Sequence, residues 1–167
     1  MKKEYSYEER AAILEREIAC YEEIVDYGEN RVRITFTNGE QIVFNGHLES
    51  FYDMVLTHLM ISVPHCREMA REVLAGGNEK KIMLPIVIKP QLSFMVFERS
   101  EGPLYVNRFS VREGFFAVKE PMDGCFNYQI AYHGGVVVKV PYSDETIRKR
   151  MREARMVEIE WLRRNGV

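Results

Sequence analysis

The sequence predicts an α+β protein: antiparallel β-hairpins with an N-terminal helix, a central pair of helices and a long C-terminal helix. Three observations carry that expectation. An Asn38-Gly39 pair separates two runs that alternate apolar and polar residues. A second alternating run, with Phe126, Tyr128, Ile130 and Tyr132 apolar, reverses at His133-Gly134-Gly135 and returns as four valines and a lysine over 136–140. Helical periodicity of about 3.6 residues is confined to three other stretches, near 7–27, 48–75 and 144–164.

In chain order, Ser6-Tyr7-Glu8-Glu9 has the form of a capping box, in which the Ser hydroxyl and the Glu carboxylate each satisfy a terminal N–H. The helix it opens is expected to reach about Tyr27, because Leu14, Ile18, Tyr21 and Val25 fall on one helical face. Gly28-Glu29-Asn30 then ends it. Val32, Ile34 and Phe36, then Ile42 and Phe44, form a hairpin about Asn38-Gly39, since both turn residues tolerate left-handed φ. Leu48, Phe51, Val55 and Leu59 share a face and predict a helix from Leu48 to about His58. Ser62-Val63-Pro64 opens another that runs to Ala75 and stops at Gly76-Gly77.

Strands are expected next over 82–88, 92–97, 104–111 and 115–118, joined at Lys89-Pro90, Glu101-Gly102-Pro103 and the 121–124 turn as an antiparallel meander. Pro141 stops the last strand because it has no N–H to give the ladder. Ser143 is placed to accept the Thr146 N–H and cap the final helix, with Asp144 and Glu145 in the turn that favours anions. Val32, Ile34, Phe36, Ile42 and Phe44 also align with Tyr128, Ile130, Tyr132, Val138 and Val140, so a hairpin followed by a helix is expected twice. The organisation divides into an N-terminal region, 1–78, and a C-terminal sheet with its helix, 79–167.

With 46% apolar and 29% charged residues the chain has the means to bury a proper core. A net charge of −2 and a pI near 6.1 argue against a generic polyanion binder, so any nucleic-acid contact must come from locally concentrated positive charge. Cys20, Cys66 and Cys125 have neither disulfide-framework nor zinc spacing and read as buried reduced thiols. No run suits a signal peptide or a membrane span, which points to a cytoplasmic, bacterial protein without a membrane partner.

The final helix holds the main functional clue. Ile147, Met151, Ala154, Val157 and Trp161 cluster on one side, and Arg148, Arg152, Arg155 and Arg163 form a stripe beside them, interrupted only by Ile159. Lys149 and Arg150 add to the charge. Such a helix buries its apolar side and shows guanidinium groups to phosphate or to an acidic protein; an ordinary solvated face, with Glu145, Glu153 and Glu158 as neighbours, is the plain alternative. Catalysis is not expected. His65 and Cys66 are adjacent, and helical neighbours point about 100° apart. His47, His58, His65 and His133 lack ligand spacing, and neither a phosphate-cradling glycine loop nor a Gly-x-Ser-x-Gly elbow is present. No metal and no cofactor is expected.

Leu84-Pro85-Ile86-Val87-Ile88, Leu92-Ser93-Phe94-Met95-Val96-Phe97, Arg99-Ser100 and Tyr105-Val106-Asn107-Arg108-Phe109-Ser110-Val111 follow one another in that order. With His133-Gly134-Gly135 and Tyr142-Ser143 after them, this order resembles the competence transcription factor ComK family over about residues 82–156. Tyr105-Val106-Asn107 stands where that family has Trp-Ile-Asn. The resemblance implies a DNA-binding transcription regulator that meets AT-rich double-stranded promoter DNA as a homo-oligomer. Arg148, Lys149, Arg150, Arg152 and Arg155 would then pair with phosphates, and Arg99 and Arg108 would enter narrow AT-rich minor grooves. The other reading is a mobile-element or phage protein of related fold that binds a host protein. Its contact face would be the acidic N-terminal half, with Glu8, Glu9, Glu15, Glu17, Glu22 and Glu23.

Overall fold

A computed structural model describes residues 5–75, 84–118, 127–132 and 135–167. The chain runs α1 (Tyr7–Glu15), β1 (Ile18–Asp26), β2 (Glu29–Phe36), β3 (Gln41–Asn45), α2 (Leu48–Leu59), α3 (Val63–Ala75), β4 (Ile86–Lys89), β5 (Leu92–Phe97), β6 (Leu104–Asn107), β7 (Val111–Val118), β8 (Asn127–Tyr132), β9 (Val137–Val140) and α4 (Asp144–Arg164). The class is α+β, as the hydrophobic patterning predicts. A six-stranded antiparallel sheet has the order β3-β2-β1-β6-β5-β4, and a three-stranded sheet has the order β7-β8-β9. Strands from both expected regions share the large sheet, through the pairing of β1 with β6.

One expectation fails early in the chain. The first helix ends at Glu15, not near Tyr27, and residues 18–26 form β1 between β2 and β6. Four consecutive residues, Ile18 to Tyr21, are buried because the sheet is covered on both faces there. Val25, assigned to the buried helical stripe, is 74% exposed. The stripe was ambiguous because a short apolar run fits both periods. β-branched Ile18, Ile24 and Val25 favour a strand once neighbouring strands exist to pair with them.

β1 carries a register irregularity between Ile18 and Cys20. Side chains from distant elements meet the carbonyls there. The Tyr132 hydroxyl donates to Ala19 O at 2.6 Å, and Asn107 Nδ2 donates to Ile18 O at 2.9 Å. Each contact satisfies a buried acceptor, and the first ties the small sheet to the large one.

The first hairpin forms as expected. Gly39 takes φ +89°, and the Asn38 side chain accepts the Glu40 N–H at 3.0 Å. The meander departs from expectation after Asn107. The Asn107 Oδ1 accepts the Phe109 N–H at 3.2 Å, a 3-10 turn occupies Arg108–Ser110, and the chain crosses into the second sheet as β7. The strand expected over 104–111 is therefore two strands in different sheets. An Asn side chain competing for a local N–H is what breaks it. The hairpin β8–β9 and the α4 cap, with Thr146 N–H to Ser143 Oγ at 3.3 Å, agree with expectation. A hairpin followed by a helix does occur twice, β2–β3 with α2 and β8–β9 with α4. The expected stops and turns at 76–77, 121–124 and 133–134, residues 82–83, and Cys125 and Phe126 lie outside the described residues.

Helices α1 and α2 and the start of α3 cover one face of the large sheet. Its centre is Tyr21, whose ring stacks on Tyr105 at 4.6 Å and meets Phe51 at 4.6 Å and Phe94 at 4.7 Å. The Tyr21 and Tyr52 hydroxyls are 2.6 Å apart. Residues of β8, β9 and α4 cover the other face, through Ile130, Tyr132, Val140, Ile147 and Ala154. All six residues of β5 are buried, as expected of a strand covered on both sides. A smaller cluster of Met69, Ala70, Val87 and Val157 fastens α3 to α4 across β4.

Candidate functional site

The apolar side of α4 packs inward as the spacing predicts, with Ile147, Ala154 and Val157 buried. The outward side gathers Arg148, Lys149, Arg152, Arg155 and Arg163, all exposed. Arg148 Nε donates to Asp144 at 2.9 Å, Lys149 stands 3.9 Å from Glu153, and Arg163 is held by Glu160. Arg152 makes no ion pair among the described residues. Two apolar side chains share this face, Met156 at 50% and Ile159 at 53% exposure.

Three of the expected DNA-contacting cations are engaged inside the protein. Arg150 turns inward: its Nη1 donates to Val96 O at 2.9 Å, and its guanidinium lies over the Phe97 and Tyr142 rings at 5.4 and 5.3 Å. It fastens α4 to β5, with the Tyr142 hydroxyl on Glu98 O alongside. Arg108 grips Glu158 by both Nε and Nη2. That carboxylate is fully buried and also accepts the Ser93 hydroxyl at 3.1 Å, with Arg155 Nη1 at 3.7 Å. Beside it, Asn107 is fully buried and accepts the Ser93 N–H at 3.3 Å. Arg99 donates to Glu22 and to Gly102 O.

The role of Glu158 was missed in the sequence, where it counted as a solvated neighbour. The signal was present, because Glu158 follows Ala154 by one helical turn and so belongs to the buried stripe. The glutamates of the acidic N-terminal half are spread over α1, the segment after it and β1. Glu9 closes the α1 capping box, Glu17 accepts the Thr37 hydroxyl, Glu22 pairs with two arginines, and Glu23 accepts the Leu48 N–H. Since α1 stops at Glu15, the six glutamates no longer share one helix.

Glu22 sits between Arg33 and Arg99, which come from β2 and from the loop after β5. Burial pushes its carboxyl up, but hydrogen bonds and charges from Arg99 and Arg33 outweigh that and leave it below the ordinary value. A carboxylate depressed in the folded state adds stability above its unfolded pKa of about 4.3, and the gain disappears as pH falls through the lower folded value. The melting-temperature gap between the native chain and Glu22→Gln is therefore expected to narrow as pH drops from about 6 to about 3. A gap independent of pH contradicts the pairing.

Burial pushes the Cys20 and Cys66 thiols up to about 11, which leaves little thiolate at neutral pH. Among the described residues, no helix is long and apolar enough to cross a membrane. Compared with known proteins, the chain matches no family model, no curated protein and no solved structure.

Proposed function

We propose that this protein is a non-catalytic binding module whose outer α4 face docks on the acidic surface of a protein partner. One observation carries the reading: Met156 and Ile159 stand exposed among Arg148, Lys149, Arg152, Arg155 and Arg163. Protein interfaces combine a desolvated centre enriched in Met and Arg with a polar rim. Phosphate contact calls for the cations alone. The ion pairs already present on this face offer little resistance, because exposed helical pairs contribute only about 0.3–0.5 kcal/mol and exchange readily for a partner's carboxylates.

The second reading, a ComK-like regulator on AT-rich duplex, is supported by the same exposed cations without Arg99, Arg108 and Arg150. The two differ in what the apolar pair does. Capture from lysate with a photo-crosslinker at position 156 supplies the partner, and anisotropy with the purified pair then measures affinity. Met156→Asp is expected to weaken the protein complex about tenfold or more, as loss of a buried interface anchor does. Arg148→Glu with Arg152→Glu weakens it further. Binding to AT-rich duplex with a salt slope near −0.9 per neutralised phosphate, untouched by Met156→Asp, overturns the protein reading in favour of the regulator.

A further inference from the structure

A cleft of about 700 Å³ lies between β9 and the β1–β2–β3 half of the large sheet. That volume falls within the range of small-molecule sites, about 300–1,000 Å³. Its polar side is built on the Glu22–Arg33–Arg99 group, and its other wall is apolar, formed by Val136, Val137 and Pro141. Cys20 and Thr35 also line it, between the two sides.

The charge arrangement sets what such a cleft takes. Glu22 Oε1 receives Arg33 Nε and Nη2, and Oε2 receives Arg99 Nη2. One carboxylate thus faces two guanidinium groups; Glu101 also lines the cleft, so with Lys139 the lining carries three cations against two carboxylates, a surplus of one positive charge. The Nη1 groups of Arg33 and Arg99 have no hydrogen-bond partner among the described residues, yet neither is an orphaned buried atom. Both side chains line the cleft, and these N–H groups are the donors not already committed to Glu22 or Gly102. Because Glu22 already holds both side chains in place, a ligand need not order them, and the entropy loss that penalises a flexible arginine is small.

We propose that this cleft binds a small organic anion, a carboxylate or phosphate head on a short apolar body. The head sits on Arg33 and Arg99, and the body lies along Val136, Val137 and Pro141. The site is separate from the α4 face and does not depend on the function read from it.

The test is a titration of the full chain followed by amide ¹H–¹⁵N shifts, with hexanoate, phenyl phosphate, inorganic phosphate and hexylammonium as probes. Saturable shifts at Gly39, Gln41, Ser100 and Val137 are expected with hexanoate, phenyl phosphate or both, and which of them binds identifies the head. Arg33→Gln, which leaves Glu22 on Arg99, is expected to weaken binding about tenfold or more, the usual loss of a charge-assisted hydrogen bond. Lys139→Gln leaves both Glu22 pairs intact and should weaken binding by a smaller factor. Arg148→Glu should leave it unchanged. Absence of saturable shifts with both organic anions overturns the proposal, as does hexylammonium binding equally well or unaltered affinity in both cleft variants. Inorganic phosphate binding as tightly as phenyl phosphate removes the apolar wall from the site and overturns it equally.

Discussion

Replacing Arg108 with leucine is expected to destabilise the protein by about 3–5 kcal/mol, the usual result of stripping one partner from a buried ion pair. Glu158 would remain fully buried with only the Ser93 hydroxyl and a guanidinium at 3.7 Å for compensation. A chemical denaturation midpoint that moves down with an unchanged slope measures the effect. The double replacement Arg108→Leu with Glu158→Leu should recover most of the loss, because two apolar side chains leave no uncompensated charge. That recovery would mean that the pair specifies where α4 seats more than it stabilises the fold. If the double variant is no more stable than the single one, the loss is due to shape, and the electrostatic account is wrong.

Truncating Tyr21 to alanine is expected to have a comparable effect, about 3–5 kcal/mol, through transfer and cavity terms together. Its ring is wholly buried and contacts Phe51, Phe94 and Tyr105, each with centroids under 5 Å from its own. Elements on both sides of that cavity are pinned in place, α2 by Phe51 and β5 by its pairing, so collapse is restricted. Tyr21→Phe keeps the ring and removes the hydroxyl 2.6 Å from that of Tyr52. Its expected cost is about 1 kcal/mol, one net hydrogen bond. A thermal melt of the three proteins followed by near-ultraviolet circular dichroism separates the two terms. An alanine variant no worse than the phenylalanine variant would mean that the hydroxyl, and not the ring, organises this core.

Much of the fold was legible residue by residue. Asn38-Gly39 marked a hairpin because its backbone requirement is local. Ser6 and Ser143 marked helix starts because a cap needs only the next turn. The inward side of α4 was legible from periodicity. The candidate sites were not, because they depend on what lies opposite. Arg99 and Arg108 look like any exposed cations until β1 brings Glu22 and α4 brings Glu158 against them.

The sequence by itself determined the α+β class, the two hairpins with their following helices, and an α4 that is apolar on one side and basic on the other. Only the tertiary structure decided that 18–26 is a strand, that Arg150 turns inward, and that Met156 joins Ile159 on the cationic surface. The reason is range. Caps, turns and periodicity act over a few residues, whereas strand pairing and the burial of a charge are settled by partners far away in the chain, such as Leu104–Val106 for β1 and Glu158 for Arg108.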